Sequence, residues 1–199
     1  MNKFLIIFLI ICFLFVNNVK ANILDGLPGP QVMPDSPLYF LKIWYEKVIL
    51  FFTFGDAKKA EQYSKLAERR LYEAEKMAKE RRDELTKKAL AAYEECLNKA
   101  IAKAEEAKKE AQEGTKKKAQ ERANQALEKV SESTLKSQDV LLRVYQLVPD
   151  EAKDVIEGII IITKNGYEKA VEAVSGIKKE RLQQEAEDIK NRAKDLIGD

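Results

Sequence analysis

The chain has 199 residues, of which 35 are lysine or arginine, 33 are aspartate or glutamate and none is histidine. Without histidine the chain lacks the commonest general base and metal ligand, and its near-neutral charge excludes the basic surface that nucleic-acid binding requires. Charged residues make up 34% of the chain, with alanine, glutamate and lysine frequent beyond residue 56, a composition typical of long helices.

The first 21 residues have the three parts of an export signal: a positive end at Lys3, an apolar stretch from Phe4 to Val16, and a polar end closing on Ala21. Cleavage after Ala21 would leave a mature chain with 33 residues of each charge. The apolar stretch is shorter than the roughly 20 residues that span a bilayer, although uncleaved it would be a short membrane anchor. We expect an extracytoplasmic protein, whether secreted, periplasmic or attached to the cell envelope.

A leader rich in proline and glycine is predicted for residues 22–36, and a helical bundle domain for residues 37–176. Ser36 suits the N-cap of the first helix and Pro37 its first turn, because proline lacks an N–H that the helix could not use there. This short helix is predicted to end at about Thr53.

The first helix is apolar nearly all round, with only Lys42, Glu46 and Lys47 polar. Such a helix is usually buried by its neighbours, so we expect it to be the centre of the bundle, with Trp44 inside. Alanine-rich seams on the longer helices would then pack around it. The alternative is an exposed helix that meets a membrane or unfolded protein chains.

Two alanine-rich stripes follow at spacings of three and four, which indicate helices that each pack along one narrow seam. Gly55-Asp56 is predicted to separate the first helix from these two, with a break or bend near Glu80 to Asp83. The stripes are Ala57, Ala60, Tyr63, Ala67, Leu71, Ala74 and Ala78, and then Ala89, Tyr93, Cys96, Ala100, Ala104, Ala107 and Ala111.

Cys96 is the one cysteine left after signal cleavage, so an intrachain disulfide is excluded. Small residues on a seam are usually buried, and a buried thiol in apolar surroundings is unreactive. The alternative is an interchain disulfide.

The remaining helices are bounded by turn residues. Gly114-Thr115 predicts a reversal, after which a helix runs from about Lys116 to Leu147, and Pro149-Asp150 ends it and caps the next. Asn165-Gly166 and Gly176 predict a kink or a break. Residues 177–199 form a C-terminal amphipathic helix with coiled-coil spacing at Leu182, Ala186, Ile189, Ala193 and Leu196.

Several motifs together resemble domain of unknown function family 5667, over roughly residues 27–176. The resemblance implies an all-helical domain behind a prokaryotic signal peptide, with no known activity, cofactor or catalytic residue. The family pattern includes histidines in the last two helices, where this chain has Gln138 and Tyr167. The motifs are Leu27-Pro28-Gly29-Pro30, Pro34-Asp35-Ser36-Pro37-Leu38-Tyr39-Phe40-Leu41-Lys42, Phe52-Thr53-Phe54, Leu66-Ala67-Glu68-Arg69-Arg70-Leu71 and Val148-Pro149-Asp150-Glu151-Ala152-Lys153.

We therefore predict an all-α protein, an elongated bundle of about five helices, with no catalytic, cofactor-binding or metal-binding residue and no cofactor. The expected function is a non-enzymatic interaction or scaffold role in the cell envelope, with a protein partner or self-association through the helix seams. A holdase chaperone or a membrane-surface protein is the alternative. We expect no nucleic acid as partner.

Overall fold

The computed structural model describes residues 32–114, 116–172, 174 and 177–197. The predicted signal, most of the leader, Thr115 and Gly176 lie outside the described residues. Within them the chain forms six α-helices, one 3-10 turn and no strand, which confirms the all-helical prediction but gives six helices instead of about five. The elements are α1 Tyr39–Phe51, α2 Asp56–Lys79, α3 Asp83–Glu113, α4 Lys117–Leu147, the 3-10 turn Asp150–Ala152, α5 Lys153–Val171 and α6 Ile177–Ile197.

The helix boundaries follow the turn residues closely. The hydroxyl of Ser36 accepts a hydrogen bond from the Leu38 N–H at 3.2 Å, and the α-helix itself begins at Tyr39, two residues later than predicted. Gly55, with φ of 85°, permits the turn into α2. The break between α2 and α3 is confirmed, and Arg81 adopts the left-handed region there with φ of 57°.

Of the kink or break predicted at Asn165-Gly166, the break is absent, because α5 continues through both residues to Val171. A Cβ atom at position 166 would overlap the Cδ1 atom of Ile101 in α3. Glycine therefore lets α5 approach α3 closely here, a packing requirement that sequence alone does not distinguish from a helix break.

The main core lies between α2, α3, α4 and α5. Both predicted seams are largely buried, with Ala57, Tyr63 and Cys96 only partly so. Larger side chains on all four helices supply the hydrophobic burial that alanine cannot. The large buried members are Leu71, Leu90, Tyr93, Leu97, Leu141, Val144, Ile156 and Ile159.

Helix α1 is not the centre of the bundle, and that prediction is wrong. No apolar side chain of α1 belongs to the core clusters of the described residues. Trp44 is 65% exposed and Phe51 is 76% exposed. Because leucine and isoleucine of α3, α4 and α5 already fill the core, the bundle does not need an aromatic helix inside it.

Helix α6 lies along α4, as an amphipathic helix with a partner surface. Leu182 and Ile189 are buried in a cluster with residues of α4 and α5. Ion pairs flank this contact: Lys178 with Glu128, Arg181 with Glu132, and Arg192 with Asp139.

Candidate functional site

Helix α1 turns two of its three charged residues, Lys42 and Glu46, inward and most of its large aromatic side chains outward. Lys42 and Glu46, one turn apart, are each only 4% exposed. A surface helix ordinarily presents the opposite arrangement, so an outward apolar face of this size is informative. Its large exposed side chains, including those that flank the helix, are Leu38, Phe40, Leu41, Trp44, Phe51, Phe52 and Phe54.

Glu73 of α2 is the centre of the contact that orients α1. It is fully buried, and its carboxylate accepts hydrogen bonds from the Tyr39 hydroxyl and the Lys42 ammonium, both at 2.5 Å. Arg70, one turn earlier on α2, donates to the same carboxylate at 2.8 Å. Three donors therefore converge on one buried acid, and two of them come from α1.

Glu46 is the second buried acid of this cluster, and its carboxylate has fewer hydrogen-bond partners than that of Glu73. One of its oxygens, Oε2, pairs with the Arg70 guanidinium. The other, Oε1, lies 3.8 Å from the Arg69 guanidinium, and it is buried without a hydrogen-bond partner among the described residues. Lys42, Glu46, Arg70 and Glu73 carry equal numbers of positive and negative charges, so the cluster is neutral as a whole.

Burial and neighbouring charges set the protonation of this charged cluster. Burial raises the pKa of Tyr39, and the hydrogen bond to Glu73 raises it further. Burial also raises the pKa of Glu46, although Arg70 and Lys42 act in the opposite direction. Burial alone would lower the pKa of Arg70, but Glu73 and Glu46 together hold it above its usual value. Tyr39 and Arg70 thus remain hydrogen-bond donors to the carboxylates.

The segment before α1 is fixed by the same region of the protein. The Lys42 ammonium also donates to the backbone carbonyl of Val32 at 3.0 Å, and Met33 is buried. Asp35 pairs with Arg82, just before α3, at 3.2 Å. These contacts hold the approach to α1 against α2 and the start of α3.

A groove of about 520 Å³ lies between the C-terminal half of α1 and the helices α2 and α3. Cys96 of α3 lines it and is partly buried. Burial raises the pKa of the Cys96 thiol to about 11, so little of it is thiolate at neutral pH. The predicted unreactive thiol thus agrees with its pKa, although the residue is less buried than expected. The interchain disulfide stays a prediction for electrophoresis.

Two other properties of the site bear on its chemistry. In the described part of the chain, no group of three cysteine or acidic side chains is placed to hold a metal ion. Nor does any helix in the described ranges combine the length and the hydropathy needed to cross a membrane.

The fold and the site define an all-helical domain that presents one short aromatic helix on its surface. The chain belongs to the family described as Domain of unknown function (DUF5667), which matches residues 31–151. This confirms the resemblance noted in the sequence. No curated protein and no solved structure matches the chain.

The sequence analysis missed the partners on α2. Arg70 and Glu73 are three residues apart and border the predicted seam residues Leu71 and Ala74. Most charged residues beside the alanine seams are at least partly exposed, but Arg70 and Glu73 are buried because α1 covers them with opposite charges. Lys42 and Glu46, four residues apart on α1, carry the complementary charges. The match between these two oppositely charged pairs was the signal available in the sequence.

Proposed function

We propose that this protein is an extracytoplasmic, non-enzymatic domain that attaches to a membrane surface through the outward face of α1. The observation that carries the proposal is the orientation of the helix. Its two buried charged side chains face α2, while Phe40, Trp44 and Phe51 face solvent. A helix held in this way has its apolar side available to enter the boundary between lipid headgroups and acyl chains.

The energy available to such a face is substantial. Fully burying a large apolar side chain contributes about 1.5–3 kcal/mol, and association offsets only part of the total gained by several of them. Phe51 and Phe52 already pack edge to face with ring centroids 5.2 Å apart. They would therefore enter the lipid as one preformed aromatic pair. Trp44 adds the ring type that is enriched at membrane interfaces.

Charge favours an anionic lipid surface as the occupant of this face. Between residues 37 and 60, the exposed charged side chains are Lys47 and Lys58. The acid of this segment that is not buried, Asp56, pairs with Lys103 at 3.0 Å. Basic side chains beside an apolar face are typical of helices that bind anionic membranes.

The position of α1 in the chain agrees with this proposal. Residues 22–38 separate the predicted export signal from α1, so α1 would be the first helix of the domain to follow the signal during export. An uncleaved signal would keep α1 near that membrane, and a cleaved one would leave α1 as the attachment. The scaffold and holdase alternatives place a protein on the same face.

Trp44 provides the test, since it is the one tryptophan in the chain. The exported protein is purified, and intact-mass measurement establishes whether it begins at Asn22. Its fluorescence in buffer should be that of an exposed indole. Vesicles containing phosphatidylglycerol should shift the emission to shorter wavelength, and acyl chains brominated near the headgroup should quench it. Neutral phosphatidylcholine vesicles should give a weaker effect.

Two variants distinguish vesicle binding through the outward face of α1 from nonspecific binding through any exposed apolar side chain. Phe51→Glu should weaken vesicle binding at least tenfold, because one large apolar contact is lost and a repelled charge is added. Ile161→Glu is the matched control, since Ile161 is 58% exposed on α5. Equal binding by both variants, or a Trp44 shift with a reduced, unfolded client protein and not with vesicles, would overturn the membrane proposal.

A further inference from the structure

A second groove, separate in its lining from the α1 site, lies between α4, α5 and α6. It has a volume of about 790 Å³, within the range of small-molecule sites. Gln138 and Leu142 of α4 form its floor, and residues of α5 and α6 form its two walls. Its apolar wall residues are Ile160, Val171, Ala186, Ile189, Ala193 and Ile197.

Two polar groups in this lining lack partners. Gln138 is 7% exposed and Tyr167 is 5% exposed, and both line the groove. The amide nitrogen Nε2 of Gln138 and the hydroxyl of Tyr167 have no hydrogen-bond partner within the described ranges. Leaving a buried polar group unpaired costs about 1–3 kcal/mol, so two in one groove indicate a missing hydrogen-bond partner.

We propose that this groove binds a single long acyl chain through its apolar walls, with a neutral carbonyl oxygen accepting hydrogen bonds from Gln138 and Tyr167. The Gln138 amide nitrogen can only donate and the Tyr167 hydroxyl can donate, so one oxygen acceptor on the ligand would satisfy both unpaired atoms. The lining extends along α6 from Gln183 to Ile197, about 21 Å at about 1.5 Å per residue. This length suits an extended acyl chain.

The charged residues of the rim favour a neutral ester over a free acid. Lys190 pairs with Glu187 at 3.0 Å, and Lys164 lies 4.0 Å from Glu168. These lysines are thus already beside acids one turn away on their own helices. A carboxylate buried next to Gln138 would have to draw one of these lysines away from its acid, and burying a charge is far costlier than burying an ester.

Calorimetric titration of the full exported protein tests this inference with three probes below their critical micelle concentrations. Monopalmitoylglycerol carries the chain and a neutral ester carbonyl. The ether analogue of the same chain length lacks the carbonyl, and palmitic acid carries a charged head. The ester should bind about tenfold more tightly than the ether, because the ether loses the hydrogen bonds to the carbonyl. The acid should also bind more weakly than the ester.

Conservative variants assign the effect to the two donors. Gln138→Leu and Tyr167→Phe should each weaken binding of the ester about tenfold and leave binding of the ether unchanged. Both variants should fold with at least wild-type stability, because each removes an orphaned polar group. Gln184→Leu makes the same chemical change on an exposed residue of α6 outside the groove and should bind all probes like the wild type.

Equal affinity for ester and ether would overturn the inference, because no carbonyl would then be recognised. Unchanged ester binding in both Gln138→Leu and Tyr167→Phe would also overturn it, and so would the absence of binding by every probe. In those cases buried water would be the partner of the two groups. Trp44 is not used as a reporter here, so the result is independent of membrane attachment by α1.

Discussion

Helices α1 and α3 bury opposite kinds of side chain. Helix α3 buries Leu90, Tyr93 and Leu97 in the main core. Helix α1 instead buries Lys42 and Glu46 against α2 and exposes Phe40, Trp44 and Phe51. The difference lies in the partner surface. Helices α4 and α5 present leucine and isoleucine side chains to α3. Helix α2 instead presents the charged residues Arg70 and Glu73 to α1.

This comparison shows that the mean hydropathy of a helix does not decide which side it buries. A pair of charges that finds complementary charges on a neighbour fixes the orientation of α1, because leaving buried charges unpaired is very costly. The apolar side must then face outward, whatever its size. The exposed aromatic face is thus a consequence of the charged cluster. Mutations in the cluster should therefore lower stability, whereas mutations in the face should not.

The largest effect is expected from Glu73→Gln, which weakens the acceptor shared by Tyr39, Lys42 and Arg70. Removing one partner of a buried ion pair costs about 3–5 kcal/mol, because the other charges stay buried. Release of α1 into water would limit that cost. Urea denaturation should therefore show a large loss of stability, and amide hydrogen exchange should show loss of protection that begins in α1.

Glu68→Gln is the matched control for this prediction, because Glu68 is an exposed glutamate on the same helix. Its effect should stay within about 0.5 kcal/mol. Similar exchange in α1 for both variants would mean that the charged cluster does not hold the helix.

The second prediction compares the core with the aromatic face directly. Ile156→Ala removes a fully buried side chain and should lower the free energy of unfolding by about 2–5 kcal/mol. Phe51→Ala, at a side chain that is 76% exposed, should change it by no more than about 0.5 kcal/mol. Thermal and urea denaturation measure both. A loss above about 2 kcal/mol for Phe51→Ala would restore the aromatic core that the sequence predicted.

The sequence predicted the helices well because their boundaries depend on local chemistry. A turn residue such as Gly55 or Pro149 ends a helix by its own backbone chemistry, and an alanine seam depends on spacings of three and four residues. Composition and spacing were therefore sufficient to place the helices. The orientation of α1 could not be predicted in this way. It depends on Arg70 and Glu73, which are distant in sequence, and the assumption that an apolar helix is buried gave the opposite result.

The candidate sites were less predictable than the fold for the same reason. Gly166 marks close packing against Ile101 and not a break, and the two cannot be separated without the neighbouring helix. Gln138 and Tyr167 were noted in the sequence as departures from a family pattern. Their shared groove depends on where α6 lies, which no local pattern encodes.

The third prediction concerns two tyrosines with different partners. Tyr39 donates to the charged Glu73 at 2.5 Å, whereas Tyr93 is fully buried and bonds the neutral hydroxyl of Thr163 at 3.0 Å. Hydrogen bonds to charged groups contribute about 1.5–3 kcal/mol, and neutral ones about 0.5–1.5 kcal/mol. Tyr39→Phe should thus destabilise the protein more than Tyr93→Phe, by urea denaturation. The reverse order would show that the charged cluster contributes little to stability.

The smallest expected effect is the change in stability with pH that is caused by the titration of two glutamates. Glu75 of α2 bonds Arg143 of α4 at 2.9 Å and Lys79 at 3.1 Å. Burial opposes ionisation of Glu75, but these two hydrogen bonds outweigh it and hold its pKa below the usual 4.5. Its contribution to stability is therefore present above the unfolded-state pKa and is lost as the pH falls through the folded-state pKa. Glu75→Gln should be less stable than the wild type at neutral pH and approach it in acid.

Glu46 should give the opposite pH dependence of stability. Burial raises its pKa by more than Arg70 and Lys42 lower it, so the pKa lies above 4.5. The folded protein then binds this proton more tightly than the unfolded chain, so the contribution of Glu46 is complete below the unfolded-state pKa and is lost as the pH rises through the folded-state pKa. Glu46→Gln keeps the shape and removes the titration. Urea denaturation between about pH 4 and pH 8 should show the variant gaining on the wild type as pH rises, the reverse of Glu75→Gln. If Glu46→Gln instead loses stability relative to the wild type as pH rises, the Glu46 carboxylate is well paired, and α1 is held through both Glu46 and Glu73.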